Sequence, residues 1–153
     1  MTTEAKWRAL ESYVRALAHD LELDAWELRV SREPPEGPDV ATGVMRPDAQ
    51  VFIIAAADVA TMHFDSGVFT AAAKDVRVVT LHELLHLHTD HVFSDMMDEY
   101  EVTATVREAF AHKQRHTQHY ERMVDRLAHA IAPKYPTIRW PEEPDAQENE
   151  DDG

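Results

Sequence analysis

The sequence predicts a single α+β domain, with a small sheet set between an N-terminal helix and a helical second half. Three observations predict it. Apolar residues recur at helical spacing near the N-terminus. Short alternating apolar runs, broken by Pro- and Gly-containing turns, come next. From about Ala72 the helical pattern returns, and residues 94–132 contain neither glycine nor proline. Elements segregated in this order belong to the α+β class. A chain of 153 residues is long enough to bury one core, so residues 1–140 form one domain.

Trp7, Leu10, Val14, Leu17, Ala18 and Leu21 share one helical face, which predicts a helix over about residues 3–21. In "AWELRVS", Trp26, Leu28 and Val30 alternate with Glu27 and Arg29, the signature of a half-buried strand. "REPPEGPD" is a turn or loop. Two further strands are expected on either side of "RPDAQ", one through Ala41, Gly43 and Met45 and one from Val51 to Ala55. The short links predict a three-stranded, mainly antiparallel sheet. "ADVATMHFDSGVFTAAAKD" reads as a loop with a short turn of helix. After the helix that begins near Ala72, one or two long helices follow, over about 95–111 and 117–132. Pro133 and Pro136 mark their end.

Composition narrows the function. The formal charge is −14, from 29 acidic and 15 basic residues, which argues against nucleic-acid binding through a basic face. Part of that charge lies in residues 141–153, "PEEPDAQENEDDG", which offers almost nothing to pack and is expected to be a disordered acidic tail. There is no cysteine, so any metal site must use His, Asp or Glu. The N-terminus lacks the apolar segment of a signal peptide, and no run approaches the ~20 apolar residues that span a bilayer. The expectation is a cytoplasmic protein with no membrane partner.

The densest chemistry lies in "VVTLHELLHLHTDH", residues 78–91. His82, Glu83 and His86 form the pattern H-E-x-x-H. Positions four apart on a helix stack one turn above the other, so His82 and His86 can offer nitrogens to one ion at ~2.0–2.1 Å. Glu83 points about 100° away and is poorly placed to ligate the same ion. It can reach a water bound to that ion and act as a general base. Val78, Val79, Leu81, Leu84, Leu85 and Leu87 predict a largely buried helix, where unpartnered imidazoles would cost several kcal/mol. The competing reading is a helix with ordinary surface histidines.

A third ligand must come from elsewhere. His88 lies on the wrong face, and His91 falls in poor helical phase. A third histidine six residues past the second, as in metzincins, would fall at Val92. Glu121 in "QHYERMVDRLAHAI" is the better candidate, beside a stripe of Tyr120, Met123, Val124, Leu127 and Ile131. Asp125 lies four residues on, placed to accept the free N–H of a ligating histidine. Against this stands the reading of both as surface acids paired with Arg122, Arg126 or Lys113.

"HELLH" followed by "ERMVD" resembles the gluzincin metallopeptidases, with H-E-x-x-H on one helix and E-x-x-x-D on a later one. The likeness covers about residues 72–132. It implies a zincin-like fold, zinc held by His82, His86 and Glu121, Glu83 as the general base, and Asp125 behind a ligand. It also implies a peptide or protein substrate, bound along an edge strand near residues 51–56; an inner core strand is the competing reading there. The chain is similar, too, to small predicted metallopeptidases of bacteriophages. The gap between His86 and Glu121 is longer than in the thermolysin group. No motif places the oxyanion-stabilising donor, for which Tyr100, His112, His116, His119 and Tyr120 all stand open.

The first expectation is therefore a zinc-dependent peptidase. A non-catalytic, metal-stabilised binding or virion-associated protein is the second, with Asp90 or His91 as an extra ligand. An acidic interaction module without metal is the third. "HKQRHTQHY" reads as a helix junction or solvated face, "DMMDEYE" as core packing, Trp7 and Trp26 as core, and Trp140 as a cap on the folded body.

Overall fold

The computed structural model describes residues 3–34, 49–54, 57–103 and 105–141; for 90–103, 106, 107 and 109–112 it describes the backbone alone. The architecture is α+β: three helices and a three-stranded mixed sheet. Helix α1 (Thr3–Asp20) buries Trp7, Leu10, Tyr13, Val14, Leu17 and Ala18. It ends in a left-handed turn. Glu22 has φ 58, its N–H bonds to the His19 carbonyl, and the Leu23 N–H reaches back to Ala18. This is a Schellman cap with glutamate where glycine is usual.

Strand β1 is Glu27–Ser31, β2 is Ala49–Ile54 and β3 is Val59–Phe64. Their order is β1-β3-β2, with β1 parallel and β2 antiparallel to β3. The expectation of a mainly antiparallel sheet is corrected here, because β1 and β2 do not pair with each other. The segment 59–64, expected as a loop, is the central strand. Its Ala60, Met62 and Phe64 are buried while Val59, Thr61 and His63 are partly open, the period of two that a strand requires. The strand expected at Ala41–Met45 lies outside the described residues, as does most of the acidic tail, residues 142–153.

One face of the sheet joins the helices in a shared core. Leu28, Ala49, Ala60, Met62 and Phe64 meet Leu10, Leu17, Leu81, Leu84 and Val124 there. The other face carries Arg29, Phe52 and His63.

Helix α2 (Ala73–Thr103) runs through the point where a second helix was expected to begin, and α3 (Val106–Ile131) follows after a short break. Helix α3 starts at Val106 rather than near 117. Thr105 explains it: its side chain caps the Glu108 N–H, and Glu108 reaches back to the Thr105 N–H in a capping box. Beyond α3, a 3-10 turn through Pro133 leads to Trp140, which packs edge-on against Phe69; Phe69 in turn meets Trp7. Among the described residues no helix is long and apolar enough to cross a membrane.

Candidate metal centre

Helices α2 and α3 pack together, and α2 also contacts β2. That arrangement brings one carboxylate from α3 to the two imidazoles on α2. His82 Nε2 lies 3.2 Å from His86 Nε2 and 3.3 Å from Glu121 Oε2, and His86 Nε2 lies 3.6 Å from the same oxygen. Ligands of a tetrahedral zinc with bonds of about 2.0–2.2 Å stand roughly 3.3–3.6 Å apart. The triangle fits that requirement closely. His82 and His86 are mostly buried, with 20% and 12% of their side chains exposed, whereas Glu121 is 47% exposed. The chemistry of the set, two neutral nitrogens and one hard oxygen anion, suits zinc or a similar divalent ion.

Charge is shared unevenly across the triad. Hydrogen bonds from His82 and His86 hold the Glu121 carboxyl down at about 2, against the opposing effect of burial. Burial pulls His82 down, but its hydrogen bond to Glu121 and the charges of Glu83, Glu121 and Asp125 outweigh this and raise it.

Glu83 lines the same cleft as the triad but is held by a different partner. It is 8% exposed, and its Oε2 accepts the Val51 N–H of β2 at 2.9 Å. Burial pushes its carboxyl up, opposed by the imidazoles of His86 and His82 and by the Val51 hydrogen bond. This cleft, of about 510 Å³, lies over the group, lined by Gln50, Val51, Phe52 and Ile53 of β2 and by Thr117 and Tyr120 of α3.

The structure thus brings His82, His86 and Glu121 together, with Glu83 beside them. Asp125 Oδ1 stands 4.0 Å from His82 Nδ1, beyond hydrogen-bonding range, and 3.7 Å from His129 Nε2. Of the oxyanion candidates, Tyr120 lines the cleft, whereas His116 and His119 are not among its lining residues. The side chains of Tyr100 and His112, and of Asp90 and His91, lie outside the described residues.

Two contacts escaped sequence reasoning. Tyr120 Oη lies 3.1 Å from His86 Nδ1, and Val51 supplies Glu83 through its backbone. Tyr120 carries a faint signal, since it immediately precedes Glu121 and shares its side of the helix. A backbone donor carries none. No family model, curated protein or solved structure matches this chain.

Proposed function

We propose that the chain is a zinc-dependent peptidase in which His82, His86 and Glu121 hold the ion and Glu83 is the general base. The observation that carries this reading is the near-tetrahedral spacing of the three donor atoms, with a buried carboxylate beside them that is held by the Val51 N–H. Zinc bound there would acidify a water and polarise a carbonyl.

The chain's own groups divide the remaining work. Glu83 commits Oε2 to the Val51 N–H, which leaves Oε1 to take a proton from water and pass it to the departing amine. Among the described residues, strand β2 lies at the margin of the sheet, and it lines the cleft, so an extended peptide can add to it as a further strand. The likeness to gluzincins and a zincin-like fold belongs to this proposal. It is supported by the succession of sheet, H-E-x-x-H helix and glutamate-bearing helix.

The test compares three proteins for bound metal and for peptide cleavage. Wild type is expected to carry one zinc and cleave. Glu83→Gln is expected to keep the zinc and lose cleavage, and His86→Ala to lose the metal. Cleavage by Glu83→Gln at the wild-type rate would sink the mechanism. Zinc without cleavage in wild type would favour a metal-stabilised binding protein.

A further inference from the structure

His86 can serve an ion only if its Nε2 lone pair is presented and its ring does not turn. A neutral imidazole that ligates through Nε2 carries its proton on Nδ1, and that proton needs an acceptor. The Tyr120 hydroxyl oxygen stands 3.1 Å from Nδ1. A phenol that accepts there can spend its own proton elsewhere, and Thr89 Oγ1 lies 2.6 Å away. Thr89 in turn donates to the Leu85 carbonyl, 2.9 Å distant and one helical turn back. Donors and acceptors line up in one direction: His86 Nδ1–H to Tyr120, Tyr120 O–H to Thr89, Thr89 O–H to the Leu85 carbonyl. No member is left with two protons facing one another.

The relay also crosses between helices. Tyr120 immediately precedes Glu121 on α3, whereas His86, Thr89 and Leu85 belong to α2. The residue beside the third donor is therefore tied to the second donor itself. His82 has no equivalent contact from Asp125, whose carboxylate stands 4.0 Å off.

We propose that Tyr120, backed by Thr89, is a positioning pair that locks His86 in its ligating tautomer and sets α3 at the height where Glu121 meets the imidazoles. This rests on the metal-site reading above, and holds whether or not the site hydrolyses anything.

The experiment measures zinc affinity by competition with a chelator, using the full chain as wild type, Tyr120→Phe, Thr89→Val and Thr89→Ser. A proton spectrum of each zinc-loaded protein reads the His86 Nδ1–H resonance. Tyr120→Phe keeps the ring, whose centroid packs 5.2 Å from that of His86, and removes only the hydroxyl. It is expected to bind zinc roughly 10- to 100-fold more weakly and to lose the Nδ1–H signal to solvent exchange. Thr89→Val should fall between, and Thr89→Ser should match wild type. Undiminished affinity in Tyr120→Phe, with the ring signal retained, overturns the positioning role and leaves the metal site standing. A wild-type protein that takes up no zinc overturns both. Should Tyr120→Phe fail to fold, the threonine variants decide: equal affinity for Thr89→Val and Thr89→Ser sinks the proposal.

Discussion

The backbone N–H of Val51 donates to the Glu83 carboxylate at 2.9 Å, joining strand β2 to the helix that carries both imidazoles. The base is thereby oriented by a backbone group that no substitution of Val51 other than proline removes. Its reach, however, depends on the length of the glutamate.

Glu83→Asp draws the carboxylate back by one methylene and parts it from Val51. The expected result is a loss of about 10²–10⁴ in kcat, with zinc content and KM little changed. Steady-state kinetics beside metal analysis checks this. A variant within threefold of wild type would show that the Val51 contact does not place the base.

Zinc is expected to stabilise the fold by roughly 4 kcal/mol at a free concentration a thousandfold above its Kd. The His82 pKa is raised, and below it metal must displace a proton, so binding weakens as pH falls through that value and reaches its full strength above it. Calorimetry in buffers of different ionisation enthalpy should register proton release. Glu121→Ala should abolish the thermal shift. Asp125→Asn, acting on a 4.0 Å separation, should change affinity by less than the Tyr120 substitution does.

Tyr13 donates its hydroxyl to the Pro136 carbonyl at 2.8 Å, and burial pushes it up to about 12, against an unfolded value of about 10. The folded state keeps this proton where the unfolded chain has lost it. The stabilisation is therefore complete below about pH 10 and disappears as pH rises towards 12. Denaturant melts across this window should show the decline, and Tyr13→Phe should flatten it. A Tyr13→Phe curve parallel to wild type would assign the decline to another group.

Glu22 sits at φ 58, where a Cβ is crowded and glycine is not. Glu22→Gly should stabilise the protein by about 1 kcal/mol, part of the gain being returned through the greater freedom of the unfolded chain. Chemical denaturation reads this directly. A loss of stability would mean that the Glu22 side chain contributes more than its backbone strain costs.

Much of the fold was legible because helices announce themselves locally. Leu10, Val14 and Leu17 recur at helical spacing, and His82 with His86 need only one turn of helix to become neighbours. Strand β3 was obscured by its composition. Ala60, Met62 and His63 have no strong strand preference, and only central pairing with β1 and β2 gives them one. The break between α2 and α3 carried a readable sign, Thr105 three residues before Glu108, which the glycine- and proline-free run around it masked. In the site, the approach of Glu121 depends on how two helices dock. Residue spacing does not encode that approach; the place of Glu121 beside an apolar stripe, and then the resemblance, pointed to it. The partners of Glu83 and His86 come from β2 and α3, at separations of 32 and 34 residues, beyond the reach of any local pattern.

The aromatic trio of Trp7, Phe69 and Trp140 has a practical corollary for spectroscopy. Two of the chain's three indoles flank a single phenyl ring, bridging the first helix and the segment after the last, and none of the three lines the cleft. Intrinsic tryptophan emission should thus report global melting faithfully while staying nearly blind to metal arriving at the imidazoles. The phenol of Tyr120 is the local chromophore for that event.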